Sequence, residues 1–191
     1  MARLFTAIEL SDDARVRVAD AQETLARAAG SGDLRLVKAG QLHLTLVFIG
    51  EVDESRVPII RDALSPDIPL DPFEMTIASC GVFPPRGLAR VLWLGLSTGG
   101  SEVGALHRVV ATRLEQVGVR GESRPFSPHL TIGRWREGHG GGRRRALPDI
   151  GTVARQTVSA VTLFRSRLSP AGPEHTLLAT ARLAGSSAAL H

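Results

Sequence analysis

His43-Leu44-Thr45-Leu46 and His129-Leu130-Thr131-Ile132 are two copies of one pattern: a histidine, a threonine two residues on, then an aliphatic residue. The aliphatic neighbours predict that each copy lies in a β-strand. Successive strand side chains point to opposite faces, so each histidine stands beside its threonine while Leu44 or Leu130 turns away. A histidine in an apolar strand needs a polar purpose, because burying its ring without a partner is costly. Two imidazoles can serve as one acid and one base, since the ring titrates near neutrality. Two hydroxyls can hold the oxygens of a phosphate. The four groups point to phosphoester chemistry without a metal. A zinc site is the weaker alternative: two histidines are too few ligands, and the chain has neither a cysteine pair nor a His-Glu-x-x-His helix.

Outward from the two motifs, the chain reads as strands alternating with helices. Arg3 to Leu10 predicts a first strand. Ser11 is a good N-cap, followed by Asp12 and Asp13 at the positive end of a helix. Ala14, Val18, Ala21, Leu25 and Ala28 recur at helical spacing, and Gly30 is a natural stop. A short strand near Leu34 to Val37 leads into the first motif strand, Leu42 to Ile49, which Gly50 is expected to end. A second helix is expected over about Ser55 to Leu64, with Pro58 tolerable only in its first turn. Phe73 to Cys80 and Arg90 to Leu96 predict strands, and Ser101 to Val117 a third helix. The second motif strand is expected from Pro128 to Arg136. Strands over Thr157 to Phe164 and His175 to Leu183 complete the pattern. Recurrence of the motif 86 positions apart, each time after a helix, suggests an internal duplication. Two lobes packed symmetrically would bring both histidines into one cleft.

Bulk properties bound the partners. A chain of 191 residues holds one substantial domain or two small lobes with a shared core. The net charge of +4 and a pI near 10.7 allow an anionic partner, though a genome-wide bias toward Arg, Ala and Gly gives the same composition. Cys80 is the single cysteine, so no internal disulfide is possible, and it reads as a small core residue. The opening residues lack the apolar stretch of a signal peptide, and no segment approaches the length of a membrane span. A cytoplasmic location is therefore expected.

The motifs resemble those of the 2H phosphoesterase superfamily, and the wider chain resembles its RNA 2′,3′-cyclic phosphodiesterases, also called 2′-5′ RNA ligases. Arg3-Leu4-Phe5-Thr6-Ala7-Ile8 is similar to that family's opening strand. Leu42-His43-Leu44-Thr45-Leu46 with Phe48-Ile49-Gly50-Glu51-Val52 is similar to its first motif block. Val91-Leu92-Trp93-Leu94-Gly95, Arg124-Pro125-Phe126-Ser127-Pro128-His129-Leu130-Thr131 and Leu163-Phe164-Arg165-Ser166 match further segments. The family often has a tryptophan where this chain has Leu36, which puts a stacking contact there in doubt and leaves the acid–base pair in place.

The resemblance implies an α+β fold: two pseudo-symmetric lobes of antiparallel sheet, helices outside, a central cleft between them. One bilobal domain over 1–184 is expected, with a flexible tail over 185–191. The implied activity is hydrolysis of a terminal 2′,3′-cyclic phosphate of RNA to a 2′-phosphate. His43 would be the proton donor and His129 the proton acceptor, with Thr45 and Thr131 binding the phosphate. No cofactor, metal or ATP would be needed, and a 2′-5′ linkage could form when a 5′-hydroxyl replaces water. RNA ends, tRNA fragments among them, are the expected partners, with no membrane and a monomeric state. Phe5, Phe48 and Phe126 are candidates for stacking on a base, although each lies in or beside an apolar strand, where core packing is the favoured role. Arg134 and Arg165 are candidates for pairing with a phosphate, and the basic loop over 138–145 for running along an RNA backbone. Two alternatives are a non-catalytic module holding an RNA terminus, and a phosphodiesterase acting on small cyclic nucleotides or 2′-5′ oligonucleotides.

Overall fold

A computed structural model describes residues 1–30, 33–120, 125–136, 146–169 and 172–185. The basic loop over 138–145, Arg124 and the tail beyond 185 lie outside the described residues. Among the described residues, nine strands and three helices follow the expected order: β1 Ala2–Glu9, α1 Asp12–Ala29, β2 Leu34–Leu36, β3 His43–Val52, α2 Val57–Leu64, β4 Phe73–Phe83, β5 Val91–Thr98, α3 Gly100–Gln116, β6 Leu130–Trp135, β7 Thr152–Val158, β8 Ala160–Ser169 and β9 Gly172–Arg182.

Local signals account for the helices. The Ser11 hydroxyl accepts from the Ala14 N–H at 3.2 Å, and α1 stops where Gly30 turns left-handed at φ 73°. Pro58 sits in the first turn of α2, where its missing N–H costs nothing. Two expectations at the strand level need correction. Gly50 does not end the first motif strand: it adopts φ 82° beside a bulge opposite Leu4, and β3 continues to Val52. The single strand expected over Thr157 to Phe164 is two, β7 and β8, divided at Ser159.

All strands join one sheet in the order β7-β4-β5-β6-β3-β1-β8-β9, with β2 paired to β6, and every strand pairing is antiparallel. The two motif strands, β3 and β6, are neighbours at its centre. Outward from each run three more strands, β1-β8-β9 on one side and β5-β4-β7 on the other. Each half contains a strand, a helix and the motif strand beside it: β1, α1 and β3 in one half, β5, α3 and β6 in the other. The sheet is strongly curled. Only Ser159 separates β7 from β8, although five strands lie between them in the sheet order, and two peptide steps span only about 7 Å. The side chain of Gln156 on β7 likewise bonds the backbone of both Glu9 and Ser11.

One face of the sheet packs against the helices. Leu4, Ile8, Leu44, Leu92, Leu94, Leu130 and Ile132 from the strands join Val18, Leu25, Ile60, Leu106 and Val110 from the helices in one core. The motif histidines and threonines lie on the other, open face.

Candidate active site

Leu44 pairs directly with Leu130 across β3 and β6. These are the middle residues of the two motifs, and both are buried on the helix side. The same antiparallel register sets His43 across from Thr131 and Thr45 across from His129. The two histidines are thus diagonal neighbours on the open face, in an arrangement where backbones stand about 7–8 Å apart. Both threonines are half-buried, and neither hydroxyl hydrogen-bonds to a described residue.

The two rings are held the same way. His43 Nδ1 donates to the Gln41 carbonyl at 2.7 Å, and His129 Nδ1 donates to the Ser127 carbonyl at 2.8 Å. A carbonyl can only accept, so Nδ1 carries the proton and Nε2 is left to exchange one. Each carbonyl lies two residues before its histidine, so the duplicated motif includes its own orienting group. Burial foremost pushes His43 down to about 4, against the raising effect of the Gln41 bond, with His175 and Arg134 adding positive charge nearby. His43 is therefore neutral at pH 7.

Aromatic rings back both histidines. Phe5 stacks on His43 at 4.9 Å between centroids and on Phe164 at 5.3 Å. In the other half Phe83 meets His129 edge-on at 5.1 Å and stacks on Trp93 at 5.2 Å. Trp93 lies flat over Gly81 and Gly95. A Cβ on Gly81 would collide with the indole, and one on Gly95 would stand 3.1 Å from it.

The remaining sequence candidates divide. Arg134 joins the site because β6 bulges: Leu92 pairs with Gly133 but Trp93 with Thr131, so Ile132 is an extra residue. Without that bulge, Arg134 would face the helices. Gln22 of α1 secures the bulge by donating to the Ile132 carbonyl at 2.5 Å, which also accepts from the Val37 N–H. Phe48 pairs across from Phe5, is partly exposed, and carries the Arg3 guanidinium 5.0 Å over its ring. Phe5 itself is buried beneath His43, Phe164 and His175, which leaves no open face for a base. Phe126 is not in the cleft: it stacks on His107 of α3 at 4.1 Å and packs on the core. Arg165 pairs across from Leu4, so it faces the helix side, where it bonds Glu54 at 2.6 Å. Gln41, Phe83, Trp93 and His175 join the site without having been singled out: Gln41 acts through its backbone carbonyl, which no side-chain pattern marks, and the places of the other three depend on pairings between distant strands.

Among the described residues, no group of three or more His, Cys, Asp or Glu side chains clusters as metal ligands, and no helix is long and apolar enough to cross a membrane. The family model for the 2′-5′ RNA ligase superfamily matches residues 10–173. An RNA 2′,3′-cyclic phosphodiesterase of Methanothermobacter thermautotrophicus is 35% identical over 95% of this chain and 98% of its own. A crystal structure of a Thermus thermophilus protein superposes with a TM-score of 0.80 at 26% identity, over 96% of this chain and 98% of that one. Escherichia coli LigT complexed with 3′-AMP gives 0.79 at 26% identity, over 95% and 98%.

Proposed function

The chain belongs to the 2′-5′ RNA ligase superfamily, and from that premise we propose that it hydrolyses terminal 2′,3′-cyclic phosphates of RNA to 2′-phosphates without a metal or other cofactor. The observation that carries the proposal is the Leu44–Leu130 pairing, which sets two identically tethered imidazoles and two threonines around one gap. The RNA end as substrate is supported by the relative's name and by the nucleotide held by LigT.

In the proposed reaction, His129 Nε2 takes a proton from water as the water oxygen attacks phosphorus. The P–O3′ bond breaks, and protonated His43 delivers its Nε2 proton to the departing oxygen. His129 then returns a proton to solvent and His43 regains one. Thr45 and Thr131 donate to the non-bridging oxygens, whose charge changes on the way to the transition state. Arg134 adds positive charge on the same side. His43 is neutral at pH 7 without substrate, and the anionic phosphate of a bound substrate favours its protonated form, so the ring takes its proton from solvent as the substrate binds. A 5′-hydroxyl in place of water gives a 2′-5′ linkage by the same proton movements, driven by the strained cyclic ester rather than ATP.

An oligonucleotide ending in a 2′,3′-cyclic phosphate, incubated with the protein and a chelator, is expected to yield a 2′-phosphate. No turnover, or turnover only with added metal, would overturn the proposal. The histidine roles separate with a substrate whose bridging 3′ oxygen is sulfur, a leaving group that needs no proton. His43→Ala should recover much of its lost rate on that substrate, and His129→Ala should not. Equal recovery would contradict the assignment.

A further inference from the structure

We propose that a third histidine, His175, is a positioning residue for this site, acting through His43 by bracing its ring. The proposal rests on the acid–base roles given above. His175 lies on β9, three strands from His43 in the sheet order, yet the two rings meet edge to face with centroids 5.3 Å apart. The same imidazole stands edge-on to Phe5 at 4.9 Å. His175 thus closes the outer side of the His43–Phe5 stack.

A bulge puts it there. Leu163 pairs with Ala179 but Phe164 with Leu177, so one residue of β9 is skipped. Ser166 then pairs with His175, on the face shared by Phe164 and Phe5. In an unbulged ladder Thr176 would take that position and His175 would face the opposite side. A second link ties the same two segments. Gln41, whose carbonyl orients His43, also donates its side-chain amide to the Pro173 carbonyl at the start of β9. The orientation of His43 and the position of the β8–β9 hairpin therefore share one residue.

His175 is half-buried, and neither of its ring nitrogens hydrogen-bonds to a described residue. Among the described residues, the charged and titratable groups around the pair are few. Arg134 on β6 adds positive charge at His43, while Glu9 on β1, across from His43, accepts from the Thr162 hydroxyl. Arg3 of β1 is spent on Phe48, and Arg167 and Glu174 pair with each other one step out of phase with His175 along the β8–β9 ladder, facing away from the cleft. When protonated, His175 is one of the groups that lower the proton affinity of His43, after burial, and burial lowers the proton affinity of His175 itself. In the other half of the molecule His129 has Phe83 at its edge and no histidine among the described residues. His175 is thus one feature that sets the His43 half-site apart from the His129 half-site.

Two variants and two readouts test this. His175→Ala removes ring and charge, and His175→Phe keeps a ring without charge. On a cyclic-phosphate oligonucleotide, His175→Ala should lower kcat roughly 10- to 100-fold, the scale of a misplaced reacting group, with KM changed far less. His175→Phe should recover most of that loss at neutral pH. NMR titration of the His43 ring, with no substrate present, should show its midpoint moving upward in His175→Phe relative to the wild type. An unmoved midpoint, or a His175→Ala enzyme as fast as wild type, would overturn the role of His175. The NMR arm requires no turnover, so a failure of the proposed reaction would be seen separately, in the wild-type assay.

Discussion

At the scale of single residues, the site works by tethering. Each motif histidine spends Nδ1 on a carbonyl two residues earlier, which fixes the ring plane and frees Nε2. His43 also carries a measurable signature. Its affinity for a proton is lowered from 6.5 to about 4 in the folded state, so the unfolded chain binds more protons between those values. Folding stability therefore rises with pH through that window. The contribution is fully present above about pH 6.5, falls away as pH drops toward 4, and is worth at most about 3 kcal/mol. Urea unfolding of wild type and His43→Gln at pH 7 and pH 4.5 should show a smaller acid loss in the variant. Equal losses would mean that His43 is not held neutral by the fold. The motif residues were legible in the sequence because a repeated pair at strand spacing is a local signal. His175 was not, because no threonine follows it two residues on and its neighbours come from strands far away in sequence.

At the scale of elements, bulges decide which side chains reach the cleft. Simple alternation from Thr131 would send Arg134 to the helix side, and an unbulged ladder would do the same to His175. The extra residue in β6 and the skipped one in β9 reverse both. Gly133 inside the β6 strand is a local hint of a bulge there, while Leu177-Leu178 reads as ordinary strand. The helices were legible nearly to the residue, since Ser11, Gly30 and Pro58 are local start and stop signals. Gly50 was read as a stop, yet its positive φ serves a bulge within the strand. Glycine has another use on β4, where Gly81 gives Trp93 room to lie flat beneath Phe83 and so supports His129. Gly81→Ala should lift the indole, cost about 1–3 kcal/mol by overpacking and lower kcat through His129. Chemical denaturation and steady-state kinetics read the two effects, and an unchanged enzyme would remove Trp93 from the support of the site.

At the scale of the whole molecule, two halves of similar plan meet at β3 and β6, and their one paired position is the middle residue of both motifs. The duplication was legible as a repeat, and the sheet order was not, because pairing between distant strands leaves no local trace. The curl that brings β7 back beside β8 was equally hidden, since it depends on a single connecting residue. The central claim is that the two half-sites act on one phosphorus atom. A double-mutant cycle on turnover of a 2′,3′-cyclic phosphate oligonucleotide tests it most directly. Groups that act as a unit are strongly non-additive, so His43→Ala and His129→Ala should each lower kcat by about 10²–10⁴, and the double variant should be little worse than either. Losses that simply multiply, or a single variant near the wild-type rate, would contradict it.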